Sequence, residues 1–284
     1  MTKNNSFYSQ EKFDAERVID FYTNVYDESQ RLIKDRRHII EYETKKDALK
    51  TFIMPGSVIY DVGAGTGVWS KFLLENIKDV RVMAFDLVPA HVEKIKNELR
   101  EHNGFFGAEV LNVADDKQLL NMKDRLPKAD IVLLGGPLYH ISDYTKRIHI
   151  LFRMSELIDW KCEHMNGLLC VDWLSSMNAA METMLSNDTT PNRVNITHGN
   201  GCHPANDNMF AYSSVLEMET MGKKAGLEVQ SHIPLDGISR LVGDRLNQMN
   251  EENFEKWVQM HKFLGINPTF CNYSEHNMTI FYRK

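Results

Sequence analysis

The chain predicts a doubly wound α/β fold, a mostly parallel sheet of seven strands flanked by helices and closed by a helical cap. Three observations carry that expectation. Short β-branched apolar runs alternate with amphipathic helical segments from about residue 57 onward, as in βαβ units whose sheet is covered on both faces. A glycine-rich turn joins the first run to its helix, and two long stretches outside this rhythm, residues 1–53 and 173–212, are left to build the cap.

Taken in order, residues 10–53 read as helical, because Phe21, Tyr22, Val25 and Tyr26 recur at helical spacing, as do Ile39, Ile40 and Tyr42. Pro55-Gly56 ends that region. SVIYDVGAGTGVWSKFLL is a strand, a turn and a helix; VRVMAFDL is a second strand, and PAHVEKIKNELREH is a helix with Pro89 in its first turn. AEVLNV and ADIVLLGGPLYHI supply the third and fourth strands, YTKRIHILFRMSELIDWKCEH a long amphipathic helix, and GLLCVDWL the fifth strand. The Met- and Asn-rich residues 173–212 read as a lid. A helix closed by Gly226, the strand LEVQSHIPL, helices between Gly237 and Gly265 and a final edge strand, HNMTIFYRK, complete the chain.

Composition narrows the function classes. The 33 Lys and Arg against 39 Asp and Glu leave a formal net charge of -6, the wrong sign for gripping a phosphate backbone, so nucleic acid is not the expected partner. No apolar run approaches the roughly 18 residues needed to cross a bilayer, and MTKNNSFYSQEKFD lacks an apolar leader. The four cysteines, Cys162, Cys170, Cys202 and Cys271, form no CxxC pair and read as free thiols, so a cytoplasmic location is expected.

The chemistry concentrates after the first strand, in Asp61-Val-Gly63-Ala64-Gly65-Thr-Gly67. Ligands of parallel α/β sheets bind beyond the carboxyl ends of the strands, and glycines let the backbone approach them closely. Asp86 ends the second strand, 19 residues beyond Gly67, where an acid can accept both hydroxyls of an adenosine ribose. A dinucleotide fingerprint needs a third glycine where Val68 stands. The acid Asp61 suits a ligand carrying an ammonium and a sulfonium better than a pyrophosphate, which favours S-adenosylmethionine over a nicotinamide cofactor.

On these residues the sequence resembles the class I S-adenosylmethionine-dependent methyltransferases, from about Val58 to Asp172. The resemblance implies a Rossmann-like core in which the DxGxGxG loop (Asp61, Gly63, Ala64, Gly65, Gly67) holds the methionine part of the cofactor and Asp86 holds the ribose, with Leu87 and Gly135 also expected at the cofactor. The family's adenine-side triplet falls on Asn112-Val113-Ala114, where the usual acid is missing and Asn112 or Asp115 stands in. Gly135-Gly136-Pro137-Leu138-Tyr139-His140 resembles a bacterial small-molecule subgroup with G-P-L-Y-H after the fourth strand. Enzymes that methylate nucleobase amines carry a polar side chain where Gly136 stands, a further reason to set nucleic acid aside. Tyr22, Tyr26 and Asp27, with Glu41-Tyr42-Glu43-Thr44, match that subgroup's leading helices, and Tyr22 or Tyr26 would face the sulfonium.

Methyl transfer asks the protein mainly to align the acceptor and exclude water. His140 is the first candidate for a general base, followed by Tyr139, His198 and His203; Trp173 joins Tyr139, His140, His198 and His203 as the acceptor side. His198, Cys202 and His203 lack a fourth ligand at recognisable spacing, so no metal is expected, and the stripe Met177, Met181 and Met184 reads as packing. The expected organisation is cap helices over 1–53, a cofactor-binding core over 54–172, a lid over 173–212 and a C-terminal part of the core over 213–284 with a helical insertion at about 238–265. The function expected is methylation of N or O on a small metabolite or natural product; the rivals are peptide or protein methylation, an NAD-dependent oxidoreductase and a non-catalytic cofactor-binding protein.

Overall fold

The computed structural model describes residues 14–31, 35–161, 167–185, 210–265 and 267–284. Eight strands form one sheet: β1 (Val58–Val62), β2 (Arg81–Asp86), β3 (Phe105–Val110), β4 (Ile131–Leu134), β5 (Leu168–Ser175), β6 (Tyr212–Ser213), β7 (Glu228–Pro234) and β8 (His276–Tyr282). Their order is β3-β2-β1-β4-β5-β8-β7, with the two-residue β6 paired to β5 off this path. Strands β1 to β5 run parallel, and β8 is antiparallel to both β5 and β7.

The continuous apolar runs of β1 and β4 are buried along their whole length, because helices cover both faces. On one face Tyr60, Val62, Phe85, Val132, Leu134 and Val171 pack against the helices Asp116–Arg125, Tyr144–Ser155 and Val215–Lys224. On the other, Ile59, Ile131, Leu133 and Cys170 meet the helices Arg36–Phe52 and Val68–Asn76. Ala84 and Ala108 receive the helix Pro89–Leu99 through Val92, Ile95 and Leu99. A satellite cluster of Ile40, Leu246, Phe254 and Val258 joins the start of Arg36–Phe52 to the helices Gly243–Gln248 and Glu251–Gly265.

Several expectations change. The C-terminal strand is no edge: β8 sits between β5 and β7 with Asn277 to Phe281 buried, and β7 takes the edge. The N-terminal region is not one helical stretch. Ala15–Asp20 widens into a π-turn, Phe21–Val25, then Tyr26 and Asp27 are extended before a short turn at Glu28–Gln30. Asp27 and Asp35 start the later segments by accepting backbone N–H bonds from Ser29 and Arg37. The fifth strand, read as ending at Leu174, runs one residue further to Ser175, so the start of the stretch assigned to the lid, Trp173 to Ser175, belongs to the sheet and pairs with β8 or β6. The helix Asp116–Arg125 was not anticipated from the sequence. Of the lid and its neighbours, His198, Cys202 and His203 lie outside the described residues, as does Cys162; Cys170 and Cys271 are buried free thiols.

Candidate active site

The turn after β1 is shaped by three left-handed glycines, Gly63 at φ 79°, Gly65 at 56° and Gly67 at 88°, a conformation that disfavours any side chain. At Gly63 space is equally decisive: a Cβ would lie 2.3 Å from Pro137 Cδ and 2.9 Å from the Gly135 carbonyl oxygen. The loop therefore abuts the chain leaving β4. Asp86 ties it to the next strand, since one carboxylate oxygen accepts from the Gly65 N–H at 2.8 Å and the other from the Val88 N–H at 2.9 Å, with His91 Nδ1 at 3.2 Å.

A cleft opens above these strand ends, about 1270 Å³ of empty space counting its mouth. Of the residues expected at the site, Tyr22, Gly63, Ala64, Gly65, Asp86, Leu87, Asn112, Val113, Gly135, Tyr139 and His140 line it. Asp61, Gly67, Ala114, Tyr26 and Trp173 do not. Trp173 is corrected most clearly: strand alternation turns it away from the cleft, and it is buried with its indole N–H donated to Thr279 Oγ1 at 2.8 Å. Tyr26 stacks on Phe21, with ring centroids 5.8 Å apart. Asp115 caps the helix Asp116–Arg125 instead of reaching the cleft, and Gly67 is pressed against Ile95.

Asp61 stands just behind the loop, 1% exposed, accepting from Ser70 Oγ at 2.6 Å. Burial pushes its carboxyl up to about 6, against the Ser70 hydrogen bond and the Lys45 charge. His140 Nε2 meets the Tyr22 hydroxyl at 3.1 Å. The Tyr139 hydroxyl is folded back over Gly136, 2.9 Å from where a Cβ would stand there. Burial raises both tyrosine hydroxyls above the ordinary phenol range, so they stay protonated.

Of the other half of the cleft wall, the sequence pointed only to Glu41 and Tyr42, through the likeness of their stretch to the subgroup's leading helices. Glu28, Arg31, His38, Glu41, Tyr42, Trp69, Asp172 and His276 all line it. Arg31 Nη2 donates to Glu41 Oε2 at 2.6 Å and lies 3.0 Å from His276 Nε2, while His276 Nδ1 is 2.8 Å from the buried Asp236 carboxylate. Burial opposes the charge on His276, but Glu41, Glu275 and the Asp236 hydrogen bond outweigh it and push the imidazole up to about 9. Lys45, 2% exposed, pairs with Asp172 at the end of β5, and Tyr42 stacks on Trp69 with centroids 5.1 Å apart. Residues 245 positions apart meet here, which no local pattern announces.

The family described as FtsJ-like methyltransferase matches residues 42–159, the segment from Tyr42 through β4 that holds the glycine turn and Asp86. The fold is that of the class I S-adenosylmethionine-dependent methyltransferases. The cofactor of that class is S-adenosylmethionine. Among solved structures, the chain resembles magnesium protoporphyrin IX methyltransferase from Synechocystis PCC 6803, solved with S-adenosylhomocysteine, at 11% identity and a TM-score of 0.57 over 95% of this chain and 100% of that one. The CcbJ methyltransferase from Streptomyces caelestis aligns at 11% identity and 0.55, covering 94% of this chain and 96% of that one. An S-adenosylmethionine-dependent methyltransferase from Methanosarcina mazei aligns at 12% and 0.55, covering 83% and 96%. At such identities the likeness is one of fold.

The cleft fits that cofactor on its own features. Gly63, Gly65 and Gly135 line it with bare backbone, and Asp86 presents a carboxylate at the end of β2. Among the described residues no helix is long and apolar enough to cross a membrane.

Proposed function

We propose that the chain transfers the methyl group of S-adenosylmethionine to a nitrogen or oxygen of a small acceptor, a metabolite or natural product. The observation that carries this reading is the continuity of one cleft, from Gly63 to Thr66 and Asp86 at one side to Tyr139, His140, Asp172 and His276 at the other, with Tyr22, Glu28, Arg31 and Tyr42 from the N-terminal segment along its wall. Such a site aligns two reactants and keeps water out.

In this reading Asp86 accepts the ribose hydroxyls with the lone pairs left over from Gly65 and Val88. Leu87, Asn112 and Val113 flank the adenine. The bare backbone of Gly63, Ala64, Gly65 and Gly135 receives the methionine part, and Asp61, behind it, stiffens the turn through Ser70. Tyr22 and the Tyr42–Trp69 stack offer aromatic faces to a cation. The cofactor supplies an electrophilic methyl on a sulfonium. His140, oriented by the Tyr22 hydroxyl, and Tyr139 serve the acceptor. The net charge of -6 supports a partner other than nucleic acid, and the name of the Synechocystis relative cites a small-molecule acceptor, in keeping with this reading.

Turnover of labelled S-adenosylmethionine with amines, phenols and thiols tests the activity, and Asp86→Ala tests the cofactor geometry. The variant is expected to weaken S-adenosylhomocysteine binding by about a hundredfold in calorimetry, through lost charge-assisted hydrogen bonds. Unchanged affinity would refute the assignment.

A further inference from the structure

We propose that the acceptor is a small amine, which enters as an ammonium and is held by the Asp172 carboxylate beside the Tyr139 hydroxyl. This rests on the methyl-transfer reading and names the substrate class of the same cleft.

The argument is an inventory of unused hydrogen-bonding capacity. Among the described residues the carboxylates on the cleft wall are Glu28, Glu41, Asp86 and Asp172, and the strong cationic donors are Arg31 and His276. Glu41 is surrounded by Arg31, His38 and His276, and Asp86 is engaged by Gly65 and Val88. Glu28 meets Arg31 through Oε1, and Asp172 meets Lys45 through Oδ2. One oxygen of each, Glu28 Oε2 and Asp172 Oδ1, therefore has no hydrogen-bond partner among the described residues.

The donors show the opposite condition. Arg31 directs Nε at His38, Nη1 at Glu28 and Nη2 at Glu41. His276 directs one nitrogen at Asp236 and the other at Arg31, and Lys45 is turned to Asp172. An entering carboxylate or phosphate would meet two unmatched carboxylate oxygens and no available cation, a costly arrangement once water is expelled. An ammonium finds a carboxylate oxygen with spare accepting capacity, and the rings of Tyr22 and Tyr139 complete a lining that favours a cation.

Placement agrees with this. Asp172 Oδ2 lies 3.5 Å from where a Cβ on Gly135 would stand, and the Tyr139 hydroxyl 2.9 Å from where one on Gly136 would stand. The two groups thus flank the first residues beyond β4, at the carboxyl end of the sheet. Burial, opposed by Lys45, raises the Asp172 carboxyl above the usual range and makes it a better proton acceptor. In the step, Asp172 relays one proton from the bound ammonium to solvent. The freed nitrogen lone pair forms the N–CH3 bond, the electron pair of the broken carbon–sulfur bond stays on sulfur, and the product leaves as a methylammonium.

The test uses the full chain saturated with S-adenosylhomocysteine and two matched probe sets: benzylamine, benzyl alcohol and benzoate, and butylamine, butanol and butyrate. Thermal denaturation is expected to show stabilisation by the amines above their alcohol and acid counterparts. In Asp172→Asn the amine response should fall by about tenfold to a hundredfold in apparent affinity, while S-adenosylhomocysteine affinity stays within about threefold. Stabilisation by the acids or alcohols above the amines, or no amine response at all, overturns the inference, and the wild-type comparison stands whether or not the variant folds. A variant that loses S-adenosylhomocysteine and keeps the amine response places Asp172 with the cofactor and overturns it too. Failure of the wild type to bind S-adenosylhomocysteine refutes the methyl-transfer reading itself.

Discussion

Asp61 shows how a residue can be central to a loop without facing the ligand. Its carboxylate is sealed behind the glycine turn with one hydroxyl partner, so charge there is disfavoured and the proton is held up to about pH 6. Because the folded form binds this proton more tightly than the unfolded chain, its contribution to stability is complete below about pH 4 and is lost as pH rises through 6. Asp61→Asn keeps an acceptor for Ser70 and removes the charge. We expect the variant to be more stable than the wild type at pH 7.5, by of order 2 kcal/mol, and to lose more than half of that advantage at pH 4.5. Urea denaturation at the two values measures this; a variant less stable at pH 7.5 would contradict the account.

At the scale of elements, the site is held by two joints. In the first, the turn after β1 abuts the chain after β4, and Gly63 leaves no room for a methyl group between them. Gly63→Ala meets both a left-handed φ and a 2.3 Å contact with Pro137, and is expected to lose about 2 kcal/mol or more of stability together with S-adenosylhomocysteine binding. Thermal denaturation with and without that compound checks it, and wild-type behaviour would show that the turn can shift. In the second joint, Arg31 and Glu41 of the N-terminal segment meet His276 at the start of β8. His276 is pushed up to about 9, so the stability it adds is fully present below about pH 6.5 and is lost as pH rises through 9. His276→Gln should flatten the decline in melting temperature between pH 7 and 9.5. A decline of wild-type steepness in the variant would place its cause elsewhere.

At the scale of the molecule, the repeating strand–helix unit was legible because each unit is a local pattern: a β-branched run such as Val58–Val62, then an amphipathic helix. So was the glycine turn with Asp86, which needs only order and spacing. Strand position in the sheet was not, since β8 reads the same at an edge as between β5 and β7 until its buried residues are seen. The break after Asp20 was hidden because Phe21, Tyr22, Val25 and Tyr26 satisfy a helical period, while the actual chain widens into a π-turn and then extends. The polar wall of Glu28, Arg31, Asp172 and His276 escaped notice for a different reason: its members come from the N-terminal segment, β5 and β8, and acquire meaning only when folding brings them together. Trp173 misled because alternation along β5 decides which neighbour faces the cleft, and the sequence alone does not say that Asp172 does.

The whole account depends on one cleft taking one adenosyl amino acid. Titration calorimetry of the full chain with S-adenosylhomocysteine, set against NADH under the same conditions, tests that most directly. Saturable one-to-one binding of S-adenosylhomocysteine, with about 2.7 kcal/mol of added stability at a hundred times its Kd and no signal from NADH, is the result expected. Binding of NADH alone, or of neither compound, would contradict it.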